Sequence, residues 1–199
     1  MHQTAFRLIA TVAMLLAPSV AFAHPGHGEG SSLVTGFIHP FNGIDHLLAM
    51  TAVGLFAAHV GGRAIWAVPA TFVAVMALGG IFGAAGVSLP FAETAIALSV
   101  LVFGFVILSG LSPPVVAAMA LVGIFAIFHG HAHGSEMPVD SSGILYGAGF
   151  MVATTLLHGF GIALGLSIRC FDEVPRRRAM QAYGGVIGLI GAGLTIGLV

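Results

Sequence analysis

Residues 64–87, AIWAVPATFVAVMALGGIFGAAGV, contain no charged side chain and form one uninterrupted apolar segment. About 20 apolar residues are enough to cross the hydrocarbon core of a bilayer as an α-helix. Glycine and proline separate this segment from others of similar length, as expected for connecting turns. The sequence therefore predicts an all-α, polytopic helical membrane protein with six transmembrane helices, near residues 34–60, 64–87, 91–111, 114–131, 144–168 and 179–199.

The composition supports the membrane class. The chain of 199 residues is 58% hydrophobic and only 7% charged, with a mean hydropathy of +1.07, whereas soluble domains contain about 25% charged residues. Lysine is absent, and the six basic residues are all arginines, so no basic surface large enough for nucleic acid is expected. A single cysteine excludes an internal disulfide and a cysteine-cluster metal site. The predicted surroundings are the lipid bilayer.

The N-terminus has the pattern of a secretory signal. A basic Arg7 precedes an apolar stretch that ends at Pro18, and Ala21-Phe22-Ala23 offers a small-x-small cleavage site. We predict a signal peptide over residues 1–23; the alternative is an uncleaved first helix. The mature protein would then consist of a His-containing periplasmic tail, residues 24–33, and a six-helix transmembrane domain, residues 34–199. The tail could gather metal or be only a flexible end.

The distribution of arginine predicts the orientation. With the mature N-terminus outside, six spans place the loops at residues 61–63, 111–114 and 169–178 in the cytoplasm. Every arginine after the signal falls in the first or last of these loops, and the outer loops contain none. This is the positive-inside asymmetry of membrane proteins. The mature N-terminus is therefore expected on the outer, non-cytoplasmic side of the membrane.

Two polar clusters interrupt the apolar chain, residues 39–46 (HPFNGIDH) and residues 128–136 (FHGHAHGSE). An ionisable side chain at bilayer depth costs about 2.5–3.5 kcal/mol on insertion scales, which favours a functional role. Imidazole and carboxylate together suit divalent ions such as nickel, cobalt and zinc. The alternative is a polar network that only stabilises the helices, and His59 and Glu93 are predicted to be interfacial. The candidate metal-binding residues are His39, Asp45, His46, His129, His133, Glu136 and His158.

The rise of a helix suggests how these residues are arranged. His39 and His46 are seven residues apart, about 10 Å along a straight helix, so one ion cannot bind both unless the helix breaks. Pro40 and Gly43 lie between them and would permit a break. Depth estimates predict two layers. The outer layer contains His39, His129 and His133, with His131 and Glu136 as further candidates, and the inner layer contains Asp45, His46 and His158.

The two clusters resemble the motifs of the HupE/UreJ family of bacterial membrane proteins, accessory to nickel hydrogenases and ureases. Its H-x5-D-H pattern matches His39, Asp45 and His46, and its F-H-G-x-[A/V]-H-G-x-E pattern matches residues 128–136. His131 occupies a variable position of the second motif. The resemblance implies an inner-membrane permease, not an enzyme, that imports nickel(II) or cobalt(II) as a transported ion for metalloenzyme maturation. It implies no prosthetic group.

Two alternatives from other classes stay open. Three histidines and an aspartate could hold zinc and activate water, as in an intramembrane zinc-dependent hydrolase, although H-E-x-x-H is absent and no separate general base is evident. A metal-binding or chaperone membrane protein would bind the ion without flux. Metal uptake into vesicles would separate a permease from both. Either a monomer or a homo-oligomer is compatible with the sequence, and no nucleotide-binding P-loop is present.

Overall fold

A computed structural model describes residues 29–138 and 141–198 of the chain. The predicted signal peptide and the first residues of the tail lie outside these ranges. The described residues form seven α-helices and one short 3-10 turn, without a strand, so the all-α fold is confirmed for them. In chain order these are α1 (Glu29–Ile38), the 3-10 turn (His39–Phe41), α2 (Ile44–Val60), α3 (Ala64–Ala84), α4 (Ala92–Ser109), α5 (Val115–Ser135), α6 (Gly143–Ile168) and α7 (Glu173–Thr195).

Four helices, α3 to α6, are long and apolar enough to cross a membrane. Residues 32–41 and helix α2 satisfy the same criterion together, but an 81° bend separates them, so they form either a broken span or a re-entrant segment. Helix α7 does not meet the criterion, because Arg176, Arg177 and Arg178 lie within its first turns. By length and composition the described part of the chain therefore has four spans, or five with the bent pair.

The first predicted span, residues 34–60, is not one straight helix: it bends between His39 and His46, where Pro40 and Gly43 permit a break. Pro40 lies in the 3-10 turn, where its missing N–H cannot continue a helical ladder. Gly43 then adopts an extended conformation (φ −112°, ψ 127°) before α2 begins at Ile44. Asp45 lies in the first turn of α2, where a carboxylate interacts favourably with the helix dipole. The break places the start of α2, with its polar side chains, at the edge of the bundle interior.

Closely packed helix pairs form the bundle, with α3 against α5, α4 against α7, and α2 against α6. Small residues allow this close approach, as is usual between helices in lipid. A Cβ atom at Gly54 would collide with the backbone carbonyl of His158, and one at Gly130 would collide with that of Met76. Both glycines therefore set the position of neighbouring histidines. Large buried aromatic side chains, among them Phe56, Phe72 and Phe103, fill the space between the pairs.

Several predicted helix boundaries are wrong by more than a turn, among them the start of α1, at Glu29 instead of residue 34. Helix α5 continues to Ser135 instead of ending at His131. Its glycines pack against the backbone of α3, and this contact holds the last turn of α5 in the helical conformation. Helix α7 begins at Glu173 instead of Ala179, so the arginine run is helical and the connection shortens to residues 169–172. Arginine has a high helix propensity, and an acidic residue in the first turn suits the helix dipole.

Candidate metal centre

Four histidine rings meet beside the break between α1 and α2, and we call them the histidine cluster. His39 lies in the 3-10 turn, His46 in the first turn of α2, and His129 and His133 lie one above the other near the end of α5. The ring centroids of His39 and His133 are 4.8 Å apart, those of His46 and His133 4.3 Å, and those of His46 and His129 5.4 Å. Residues distant in sequence thus form one continuous group of imidazoles.

The expected separation into two layers is wrong. His46 was assigned to the inner layer, but its ring contacts His133 and His129 of the outer layer. The break tilts α2 relative to α1, so depth counted along one straight helix does not apply. The ring of Phe72 on α3 contacts both the cluster and His158, with ring centroids 5.4 Å from His129 and 5.1 Å from His158. His158 therefore lies beside Phe72, next to the cluster.

The imidazole nitrogens of this region are buried with few hydrogen bonds. His129, His133 and His158 are 0%, 3% and 1% exposed. Within the described part of the chain, no hydrogen-bond partner is found for Nε2 of His46 and His129 or for either nitrogen of His133 and His158. A buried polar atom without a partner costs about 1–3 kcal/mol. A network that served only to stabilise the helices would pair these atoms, so the geometry favours a ligand-binding role.

Neighbouring acceptors orient two of the rings. Nδ1 of His46 lies 2.8 Å from Oδ1 of Asp45, and Nδ1 of His129 lies 3.0 Å from the backbone oxygen of Phe125. Neither oxygen carries a proton when Asp45 is ionised, so each Nδ1–H donates and each Nε2 keeps its lone pair. A histidine that ligates a metal commonly donates its other ring N–H to a carboxylate or a carbonyl in this way. In both rings, Nε2 is therefore the nitrogen available to bind a metal ion.

Three residues bring potential ligand atoms close enough for one ion. One atom from each of His39, His133 and Glu136 lies within 4.8 Å of the others, and Nε2 of His39 is 3.4 Å from Oε2 of Glu136. Two ligands on opposite sides of one ion stand about 4 Å apart, because each bond is about 2.0–2.1 Å. Small side-chain movements would close the group around an ion. Asp45, predicted as a ligand, is not part of this group and instead contacts His46.

The structure adds residues to the site that sequence reasoning did not place there. Tyr146 and Phe150 of α6 form an aromatic wall. Their ring centroids lie 5.8 Å from that of His39 and 4.1 Å from that of His133, respectively. Glu93 lies exposed in the first turn of α4, as expected for an interfacial residue.

His131 points away from the cluster. Its Nε2 lies 2.5 Å from the backbone oxygen of Val87, the third residue after the end of α3. A helical residue two positions from His129 and from His133 faces the other side of α5. Because His131 is also buried, at 7% exposure, it provides a matched comparison for the histidines of the cluster.

Fold and site together define a class, a multi-pass helical membrane protein with a buried histidine cluster at a broken helix. Comparison with known proteins gives the family. The family model described as HupE / UreJ protein matches residues 12–194. Protein HupE of Rhizobium leguminosarum bv. viciae is 46% identical over 192 residues, which are 96% of this chain and 98% of that protein. No solved structure matches the chain.

The chain belongs to the HupE/UreJ family, which is linked to nickel accessory functions of hydrogenase and urease. The family is an accessory and transport family and is not known as a class of enzymes. This agrees with the resemblance seen in the two polar motifs.

Proposed function

We propose that this protein imports nickel(II), or cobalt(II), from the periplasm across the bacterial inner membrane for the maturation of a hydrogenase or urease. The observation that carries the proposal is the histidine cluster, in which His46, His129 and His133 present buried nitrogens without a hydrogen-bond partner in the described residues. Neutral imidazole is a good ligand for both ions. An ion bound there would satisfy the nitrogens that the protein leaves unpaired.

The exposure of the site suggests where the ion enters. The side chain of Glu136 is 53% exposed and that of His39 is 27% exposed, whereas His133 is buried. We infer that His39, Glu136 and His133 capture the ion first. His133 also contacts His46, and His46 contacts His129, so the ion can exchange one ligand at a time along the cluster. Ligand exchange between adjacent sites keeps any single site from holding the ion too tightly to leave.

Asp45 and Phe72 have different roles in this scheme. Asp45 accepts the Nδ1–H of His46 and holds its ring so that Nε2 faces the cluster. Phe72 contacts both His129 of the cluster and His158. His158 is the next binding residue in this scheme, because its two nitrogens are buried and unpartnered among the described residues. An ion that moves from His129 to His158 therefore passes beside the ring of Phe72.

The orientation is part of the proposal. The arginines at residues 63, 169 and 176–178 favour placing the ends of α2 and α6 and the start of α7 in the cytoplasm. The histidine cluster then faces the periplasm. We further propose that residues 1–23 are removed as a signal peptide and that α7 completes six spans. Its second half, residues 182–195, is free of charge.

Uptake of radiolabelled nickel or cobalt into proteoliposomes tests the function. The wild-type protein should accumulate the ion, with and without a proton gradient compared in parallel. His133→Asn should abolish accumulation, and His131→Asn should retain it, since both histidines are buried on the same helix but only His133 belongs to the cluster. Binding without uptake by the wild type would contradict import and favour a metal-binding protein. Equal uptake by both variants would remove the cluster from the path.

A further inference from the structure

A cavity lies at the end of the bundle opposite the histidine cluster. Its volume is about 300 Å³, and it is formed by the ends of α2 and α4, the end of α6 and the first turns of α7. Cavities of this size are at the lower end of those that hold small ligands. The polar side chains that line it include those of His59, Ser112, Arg169, Arg176, Arg177 and Gln181.

The charge of this cavity favours an anion. Arg169, Arg176 and Arg177 bring three positive charges, and Glu173 is the only carboxylate among its lining residues, so the formal balance is 3 − 1 = +2. In the described ranges, the ion pairs join only histidines to carboxylates, and none of these arginines has a carboxylate partner. A divalent cation would be repelled here, so the cavity is not a second metal site.

Part of the cavity wall is held in place. The guanidinium of Arg169 donates a hydrogen bond of 2.5 Å to the backbone oxygen of Ala58 near the end of α2. This bond uses one of the five N–H donors of the group. His59 and Ser112 are 3.3 Å apart through Nε2 and Oγ, which links α2 to the connection between α4 and α5. Arg176 and Arg177 come from a fourth element, α7, and line the same cavity.

We propose that this cavity binds a phosphate-bearing anion, with Arg176 and Arg177 as its principal contacts. The guanidinium group is planar and presents parallel donors that match phosphate oxygens. Apolar side chains such as Ile107 and Met180 also line the cavity, which suits the glycerol part of a phospholipid. Basic pockets between transmembrane helices are typical sites for anionic lipid headgroups. A free phosphate ion has the same chemistry, and the experiment separates the two sources. The inference does not depend on metal transport.

Thermal unfolding of the purified full-length protein in neutral detergent provides the test. The midpoint temperature is followed while phosphatidylglycerol, phosphatidylcholine or inorganic phosphate is added. The test variants are Arg177→Gln and the double variant Arg176→Gln/Arg177→Gln. The control is Arg178→Gln, which removes the same charge from the next residue of α7, exposed and outside the cavity. Arg177→Lys keeps the positive charge but removes the parallel N–H donors of the guanidinium group, so it tests whether those donors are needed.

We expect phosphatidylglycerol to raise the midpoint of the wild type and of Arg178→Gln at similar concentrations. Each arginine removed from the cavity should weaken the apparent affinity about 5-fold, and Arg177→Lys should lie between wild type and Arg177→Gln. Stabilisation by inorganic phosphate as well would identify free phosphate as a ligand, and stabilisation by the lipid alone would identify the headgroup. Equal stabilisation by phosphatidylcholine, or an equal loss in Arg178→Gln, would overturn the proposal. Because all three arginines are exposed, the variants should fold, which the midpoint without additive checks.

Discussion

The imidazole of His39 stands edge-on to that of His133, with their ring centroids 4.8 Å apart and their planes at 86°. His39 belongs to the short turn after α1, whereas His133 belongs to the last turns of α5. The contact therefore connects the bent segment to the α3–α5 pair. Any movement at the break changes the distance between two potential ligands, which couples metal binding to the conformation of α1 and α2.

His133 is expected to be the central metal-binding residue, because it contacts both His39 and His46 and both its nitrogens lack a partner within the described chain. His133→Ala should weaken nickel binding by at least about 10-fold, the order of effect expected when a ligand or its support is lost. His131→Ala should change it less than about 2-fold. Isothermal titration calorimetry in detergent measures both. A similar loss in the two variants would indicate general damage to α5 instead.

Asp45→Asn should weaken nickel binding about 10–100-fold, the range found when a partner that orients a metal-bound histidine is removed. An asparagine can present its NH₂ group to Nδ1 of His46, which reverses the tautomer and protonates the Nε2 that faces the cluster. Transport should fall with binding, while the amount of inserted protein stays the same. Titration calorimetry and vesicle uptake on one preparation measure the effects. Normal uptake by Asp45→Asn would show that His46 does not need this partner.

Nickel binding should weaken as the pH falls from about 7.5 to about 5.5. Protons compete with the metal for imidazole nitrogen, whose reference pKa is about 6.5, and they reach the more exposed rings of the cluster first. The decrease should be shallower in His39→Ala, because the side chain of His39 is 27% exposed and that of His46 only 12%. Equilibrium calorimetry avoids the effect of a proton gradient on rates. An affinity independent of pH would mean that carboxylates dominate the site.

Gly130→Ala should destabilise the protein by about 1–3 kcal/mol, the usual cost of overpacking a close contact. The added Cβ would collide with the backbone of Met76 and force α5 away from α3. His129 and His133 would move with α5, so nickel affinity should fall as well. Gly147→Ala is the control, because nothing lies within 4 Å of a Cβ at that position. Thermal unfolding and calorimetry together measure both effects, and no change in Gly130→Ala would contradict the tight α3–α5 contact.

The proposed orientation predicts which side of the membrane each connection faces. In a Cys170→Ser background, Ser141→Cys should react with an impermeant thiol reagent added from the periplasm. Arg177→Cys should react only after the membrane is permeabilised. The first lies at the cluster end of the bundle and the second at the arginine end. The reverse pattern of labelling would place the histidine cluster in the cytoplasm and would exclude capture from the periplasm.

Much of the fold could be predicted from residue order alone. Uninterrupted apolar segments such as residues 64–87 specify membrane-length helices, because a chain in lipid must satisfy its backbone hydrogen bonds within the segment. Pro40 and Gly43 indicated where the first span could break, but not that it does. The extent of α7 could not be predicted, because hydropathy does not distinguish an arginine-rich loop from an arginine-rich helical turn.

The sequence by itself determined the class of protein, the family and the set of ligand-type residues, because composition and two short motifs carry that information. Only the tertiary structure decided how those residues are grouped. It brought the ring of His46 into contact with that of His133 and made Asp45 the hydrogen-bond partner of His46. It also turned His131 toward Val87 and packed Phe72 against both His129 and His158. These relationships depend on an 81° bend and on glycine contacts between helices distant in sequence. Neither the angle nor such packing is encoded in the spacing of residues along one helix.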